Sequence, residues 1–468
     1  MKRSISLLLI LTFIFGILPF SLWACGGNET ESSENESVSQ ETTENSTTTD
    51  KTDSESEESK DMNKEPINTE YVNAALNKYY EKTLLFPEDN PSYPDERGKS
   101  MTDGVIAPAG APFSHNAFMA FNQNGYNYRS NAYAYITVDL EKVYSLDKFV
   151  AHIGTKAYLD VGIDAPQFVW VYLSTDRQNW YEAGQADFTD TAETNCIPAT
   201  LALEAPLTAR YVQFRFMGHS NWILVSEIEA FGREAESVIP YPETGEIKNF
   251  LFVGNSSTFY FNTPTKFKLL AESLGVKVDV TSCCLGSAWL SEYADETNKT
   301  HGTLFRSKIN EKKYDYVVLQ DNSGASFNES KPAIDILLPF IKDNGAEVVL
   351  YKRYSSSDVP ANRINSATRH HNNYTQLADA FGIEKVSPVA DAFLICIEKY
   401  PEINLYFTDN SHHNDTATYL MACVWAITYL DLDITDAEYT ANLDAETAKK
   451  LRECAKIACS EGYNFPKA

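Results

Sequence analysis

A chain of 468 residues is longer than one ordinary domain, and a length prior gives about three units. The 43% hydrophobic fraction, with 25 Phe and 27 Tyr, supplies material for real cores. A formal net charge of −26 argues against nucleic acid as a partner, because phosphate contacts need a basic surface. Much of that charge is local, since residues 26–65 carry thirteen acidic side chains against three lysines.

The chain starts with an export pattern: Lys2 and Arg3 precede an apolar run from Ile5 to Phe20. Leu22-Trp23-Ala24-Cys25 then resembles the lipobox of bacterial lipoproteins. The resemblance implies a signal peptide over 1–24 and lipidation of Cys25, whose two acyl chains suffice for stable anchoring. The alternative is an uncleaved anchor, since the apolar run is nearly long enough to span a bilayer. Either way the rest is expected on the extracytoplasmic face of the cell membrane. Residues 25–65 are Ser, Thr, Glu and Asn with almost no apolar content, and are expected to form a disordered tether.

From 66 to 235 short alternating segments dominate, as in Tyr135–Leu140, Phe168–Leu173 and Arg210–Phe216, separated by turns such as Asp103-Gly104. The pattern predicts an all-β jelly-roll sandwich. The segment resembles the discoidin-like (coagulation-factor type C) modules of galactose-binding-like fold. The resemblance rests on Thr102-Asp103-Gly104, Ile136–Leu140, Val171–Asp176 with Trp180, Ala209–Val212 and Ser226–Gly232. It implies a glycan-binding module with a structural calcium ion. Tyr126, Tyr128 and Trp222 are candidates to stack on a sugar, the alternative being that they cap the sandwich core. Asp103 and Glu227 are candidate calcium ligands, the alternative being a turn Asp and an ordinary Glu.

After a linker at 236–245, strands alternate with helices from 246 to 468. Phe250–Val253, Val276–Thr281, Tyr316–Gln320, Glu347–Tyr351 and Val386–Val389 read as strands. Thr265–Leu274, Ala333–Lys342, Asn362–Phe381 and Thr416–Leu430 read as helices. The alternation predicts a three-layer α/β domain with a parallel, flavodoxin-like sheet whose site lies at the carboxyl ends of the strands.

Chemistry-bearing residues fall at those ends. Gly254-Asn255-Ser256 follows a buried strand, and Asp409-Asn410-Ser411-His412 precedes a helix. A serine hydroxyl is a poor nucleophile until a base takes its proton, and the base needs an orienting partner; the order Ser…Asp…His supplies both. This segment resembles the SGNH (GDSL-like) hydrolases. The resemblance implies Ser256 as nucleophile, His412 as base and Asp409 as its partner. The Ser256 and Gly286 amides and the Asn322 side chain would form the oxyanion hole. Two departures stand out: Asn255 replaces an Asp, and Gln320 and Ser323 flank Asn322 in place of Gly and Asp, with Gln320 expected at the pocket rim. His413 breaks the three-residue spacing from Asp409, and His370 and His371, on a helical pattern, are expected to face solvent.

Seven cysteines remain beyond Cys25, an odd number without repeated spacing, which does not suggest a disulfide framework. No Cys/His cluster has zinc spacing, and catalysis is expected to need no cofactor. The expected activity is a carboxylic ester hydrolase that removes O-acetyl groups from a polysaccharide held by the sandwich. The alternative is a non-catalytic glycan-binding lipoprotein with a degenerate hydrolase domain.

Overall fold

The computed structural model describes residues 68–84, 95, 98–122, 133–217, 222–355 and 359–466. Cys25, Tyr126 and Tyr128 lie outside them.

The first part is an antiparallel β-sandwich. Its strands are β1 (Val72–Asn73), β2 (Tyr80–Leu84), β3 (Met119–Asn122), β4 (Tyr133–Gly154), β5 (Phe168–Ser174), β6 (Tyr181–Gln185), β7 (Cys196–Met217) and β8 (Trp222–Glu234). They pair in the order β1-β8-β4-β7-β5-β6, with β2 on β4 and β3 on β8. Period-two alternation builds the core: Ile136, Val138 and Leu140 of β4 are buried with Val212, Phe214 and Phe216 of β7, while the residues between them are more exposed. The β4–β7 ladder shifts register between Asp139 and Tyr144, where Glu141 takes a left-handed φ of 69°. The backbone of Met217 pairs with both Tyr133 and Phe168, and that of Trp222 pairs with Asn122. Those five residues mark one end of the sandwich.

The second part is a parallel sheet of β9 (Ile247–Gly254), β10 (Lys277–Cys284), β11 (Tyr316–Leu319), β12 (Glu347–Tyr351) and β13 (Val386–Ser387) in the order β10-β9-β11-β12-β13. This is the flavodoxin-like order, whose site lies at the carboxyl edge where the chain reverses direction across the sheet. Helices cover both faces: α1 (Ser256–Phe259), α2 (Thr263–Ser273), α3 (Leu290–Ala294), α4 (His301–Ile309), α5 (Phe327–Asn344), α6 (Pro360–Phe381), α7 (Val389–Lys399), α8 (Asp415–Leu430) and α9 (Ala445–Ser460). Strand β9 shows why its sequence is continuously apolar. Phe250 and Phe252 pack with α2 and α8 on one face, Leu251 and Val253 with α3 to α5 on the other, and all four are fully buried.

Val389, expected to end the last strand, begins α7 instead, because Pro388 cannot continue a ladder and serves as the helix N-cap. The seven described cysteines are free thiols. No described helix is long and apolar enough to cross a membrane.

The sandwich packs on α2. Phe168, Trp170 and Met217 form an apolar cluster joined by Leu269, Lys268 pairs with Glu182 at 3.2 Å, and the Asn262 side-chain amide donates to Gln167 Oε1.

Candidate active site

Ser256 opens α1 directly after β9, so its backbone N–H is one of those left without an intrahelical acceptor. Asn255 shapes this turn. Its Oδ1 accepts from Ser257 N at 3.0 Å as an N-cap, and its Nδ2 donates to the Ala288 carbonyl at 2.9 Å. An ionised Asp could cap but could not donate to Ala288, which gives a physical reason for Asn at this position.

Gln320 corrects the expectation of a pocket rim. It is 1% exposed. Its Oε1 accepts from the Asn255 backbone at 3.0 Å and from Thr258 Oγ1 at 2.8 Å, so it ties the serine turn to the end of β11. Gly254 is needed beside it, because a Cβ there would lie 2.6 Å from Gln320 Oε1.

Asp409 and His412 lie on the loop before α8. The loop is closed by Phe407 N donating to the His412 carbonyl at 2.8 Å, and Asn410 turns it with a φ of 56°. Asp409 Oδ1 accepts from the backbone of Ser411 and His412, and its Oδ2 lies 2.7 Å from His412 Nδ1. Partial burial raises the Asp409 pKa, but these hydrogen bonds outweigh it and hold the carboxyl below its ordinary value. His412 Nε2 lies 2.9 Å from Ser256 Oγ. The structure therefore brings Ser256, His412 and Asp409 into one hydrogen-bonded line across 156 residues of sequence.

The remaining donors sit on two neighbouring loops. Asn322 Nδ2 donates to the Ser287 carbonyl at 2.8 Å, while its Oδ1 accepts from Gly324 N, so the side chain is fixed against the loop that carries Gly286. Gly286 is exposed and nothing would crowd a Cβ there; the left-handed position is Ser287, with φ 61°. Tyr293 links this loop to β9, its hydroxyl donating to the Gly254 carbonyl and accepting from Leu285 N, both at 2.8 Å. Asp321, beside Asn322, is buried and accepts from Leu290 N, Asn322 N and Ser330 Oγ. Burial raises its pKa despite these bonds.

Three other histidines are placed differently from His412. His413 is fully enclosed: its Nε2 lies 2.9 Å from the Tyr260 carbonyl and its Nδ1 lies 3.0 Å from Tyr354 Oη. Burial lowers its pKa to about 3, so it is a neutral structural imidazole. His370, expected at the surface, is 1% exposed; its Nδ1 lies 3.1 Å from the Arg353 carbonyl and its Nε2 3.3 Å from the Ser323 carbonyl, and burial lowers its pKa to about 3 as well. His371 is partly covered by Phe465 stacked at 4.4 Å and lies 3.2 Å from Lys352 Nζ.

Sequence reasoning missed Tyr260. Its ring stacks on the His412 imidazole with centroids 3.9 Å apart and planes 9° from parallel. No motif marks it; its only signal is an aromatic residue one helical turn after the serine.

In the sandwich, Trp222 packs against the small cluster of Ala107, Ala111, Phe118 and Ile163, in the manner of a core cap. Glu227 is fully buried. Its Oε1 accepts from Gly104 N at 2.9 Å, whereas Oε2 has no hydrogen-bond partner among the described residues. Burial raises its pKa to about 8. Asp103, adjacent to Gly104, turns its own loop by accepting from Val105 N at 3.0 Å. An enclosed carboxylate oxygen lacking a donor, next to a second carboxylate, fits a hard cation that would take further oxygens from backbone carbonyls. No group of three His, Cys, Asp or Glu side chains suited to a metal occurs among the described residues.

Residues 113–228 match the F5/8 type C domain family, in agreement with the sandwich. No curated protein matches the chain. Solved structures similar to it include a DUF4886 family protein from Bacteroides uniformis, at 15% identity and TM-score 0.41, over 47% of this chain and 98% of that one. A candidate SGNH hydrolase from Slackia heliotrinireducens aligns at 22% identity and TM-score 0.32, over 39% and 100%. CpGH89CBM32-5 from Clostridium perfringens, solved with GalNAc-β-1,3-galactose, aligns at 16% identity and TM-score 0.24, over 33% and 95%.

Proposed function

We propose that this protein is an SGNH-type serine esterase that removes O-acetyl groups from a polysaccharide held by its sandwich. The observation that carries the reading is the line from Asp409 through His412 to Ser256, with contacts of 2.7 and 2.9 Å at the carboxyl edge of a parallel sheet. In this reading Ser256 Oγ attacks the ester carbonyl as His412 Nε2 takes its proton. The oxyanion is met by the amides of Ser256 and Gly286 and by Asn322 Nδ2. His412 then gives that proton to the departing sugar oxygen as its bond to the acyl carbon breaks, and water repeats the sequence on the acyl-serine to release acetate and free Ser256. Asp409 fixes the imidazole tautomer that leaves Nε2 free to accept.

The assignment of a glycan ester rests on the discoidin-like module and on where it sits. Gln167 lies one residue before β5, at the sandwich end marked by Asn122, Met217 and Trp222, and its bond to Asn262 puts that end beside the serine edge. A saccharide held there would present its acyl groups to the catalytic edge at raised local concentration. Glu227 and Asp103 would hold a structural calcium ion. The export pattern and Cys25 support a lipid-anchored protein on the extracytoplasmic face of the membrane.

Acetate release from an acetylated polysaccharide by the full chain tests the proposal. Release that is lost in Ser256→Ala supports it. Turnover of long-chain acyl esters in preference to acetyl would contradict the acetyl assignment, and no turnover of any ester would contradict the enzyme.

A further inference from the structure

The segment between α1 and α2 is strained and buried, and neither the nucleophile nor the base explains it. Phe261 and Asn262 take consecutive left-handed conformations, with φ of 51° and 57°, which non-glycine residues adopt singly and at a cost. Asn262 is fully buried, and its side-chain amide is held by Gln167 of the sandwich. Just before this turn, the Tyr260 carbonyl accepts from Thr263 Oγ1 at 2.8 Å and faces His413 Nε2 at 2.9 Å. The Tyr260 ring is thereby laid flat on the His412 imidazole. Phe261 braces the same loop from the other side, edge-on to Phe407 at 5.4 Å.

We propose that Tyr260 is a positioning residue for His412, and that the sandwich holds it in place through Gln167 and Asn262. The inference rests on the esterase reading and gives the sandwich a part in catalysis beyond holding substrate. A parallel ring at this spacing limits the imidazole to the rotamer that faces both Asp409 and Ser256. It also favours the imidazolium that forms when Ser256 gives up its proton, since the aromatic face attracts positive charge. The buried, neutral His413 acts as a fixed donor that anchors the Tyr260 backbone, which accounts for two adjacent histidines of which one contacts the serine.

The test uses the full chain with 4-nitrophenyl acetate, an ester that carries no saccharide for the sandwich to bind. Tyr260→Leu should lower kcat by roughly three- to tenfold with KM unchanged, and Tyr260→Phe, which keeps the ring, should restore it to within about twofold. Gln167→Ala should lower kcat in the same direction and by less, although it alters only the sandwich. Equal kcat in Tyr260→Leu and wild type, or a Tyr260→Phe variant as impaired as Tyr260→Leu, would overturn the proposal. A second arm does not depend on turnover. In NMR spectra, the His412 ring protons should move downfield in Tyr260→Leu as the shielding of the stacked ring is lost. An unchanged His412 signal overturns the stacking itself. A shifted signal in a protein without Ser256-dependent turnover would leave the placement intact and contradict the esterase reading instead.

Discussion

Around the serine edge, burial is graded from one residue to the next. His412 and Asp409 stay partly exposed and hydrogen-bonded to each other, while His413 is sealed among Tyr260, Thr263 and Tyr354 and held neutral. In the sandwich the enclosed group is a carboxyl: Glu227 has the Gly104 amide on one oxygen, no hydrogen-bond partner among the described residues on the other, and a pKa pushed up to about 8. The first region leaves the imidazole beside Ser256 partly exposed with a partner on each ring nitrogen, and seals the adjacent imidazole away from it. The second keeps a carboxyl that is at ease only when protonated or when a cation neutralises it. In the proposed mechanism His412 serves as base from a partly exposed position with fixed partners, whereas burial makes His413 scaffold.

The comparison breaks most sharply at the serine. Ser256→Ala and His412→Ala should each reduce ester hydrolysis by at least about 10⁴-fold. Replacing His413 with Gln, which keeps one donor and one acceptor, should leave a measurable rate. Comparable losses at both histidines would erase the distinction between base and scaffold. Asn322→Ala should cost roughly 100- to 1000-fold in kcat with little change in KM, as expected for a donor used mainly in the transition state. Gln320→Leu should act through stability. It strands the Asn255 amide and the Thr258 hydroxyl, at a cost of about 1–3 kcal/mol read from thermal unfolding.

The pH response of stability differs in sign between the regions. His370 and His413 have pKa values lowered to about 3 from 6.5, so the stability they lend the α/β domain is complete above about 6.5 and is lost as pH falls toward 3. The raised carboxyls Asp321 and Glu272 work in the opposite direction there and soften that loss. Glu227, raised to about 8 from 4.5, lends stability fully present below about 4.5 and lost as pH rises through 8. Glu227→Gln should therefore stabilise the calcium-free sandwich at pH 8 by on the order of 2 kcal/mol, after discounting for residual solvent screening. Calcium should raise the unfolding temperature of the wild type at pH 8 and leave that variant unmoved. A sandwich whose stability is flat between pH 5 and 8 would contradict the account of Glu227.

The parallel sheet of the α/β domain is legible in the sequence because its strands are short apolar runs that alternate with helical spacing. Ser256 follows four consecutive apolar residues, and His412 keeps its spacing from Asp409. The expected strand at Val276–Thr281 extends to Cys284, and α9 escapes the reading even though Asp444 caps it and Leu451, Cys454, Ala455 and Ala458 recur at helical spacing. Gln320 and His370 are misread for one reason: a polar side chain looks exposed in sequence, whereas here polar groups from distant parts of the chain enclose it. Tyr260 is invisible to motif reading because its place depends on a two-residue left-handed turn and on a contact with another domain. In the sandwich the framework strands are legible and the binding chemistry is not, since alternation specifies a pleated core and leaves the loops unconstrained.

The central claim is that Ser256 is an activated nucleophile, and a fluorophosphonate probe tests it most directly, because its phosphorus forms a stable bond only with a serine oxygen made reactive by its base. The account predicts a single adduct on the full chain, mapped by peptide mass analysis to Ser256 and abolished in His412→Ala. A folded protein that takes up no probe, or takes it up equally without His412, would contradict the account.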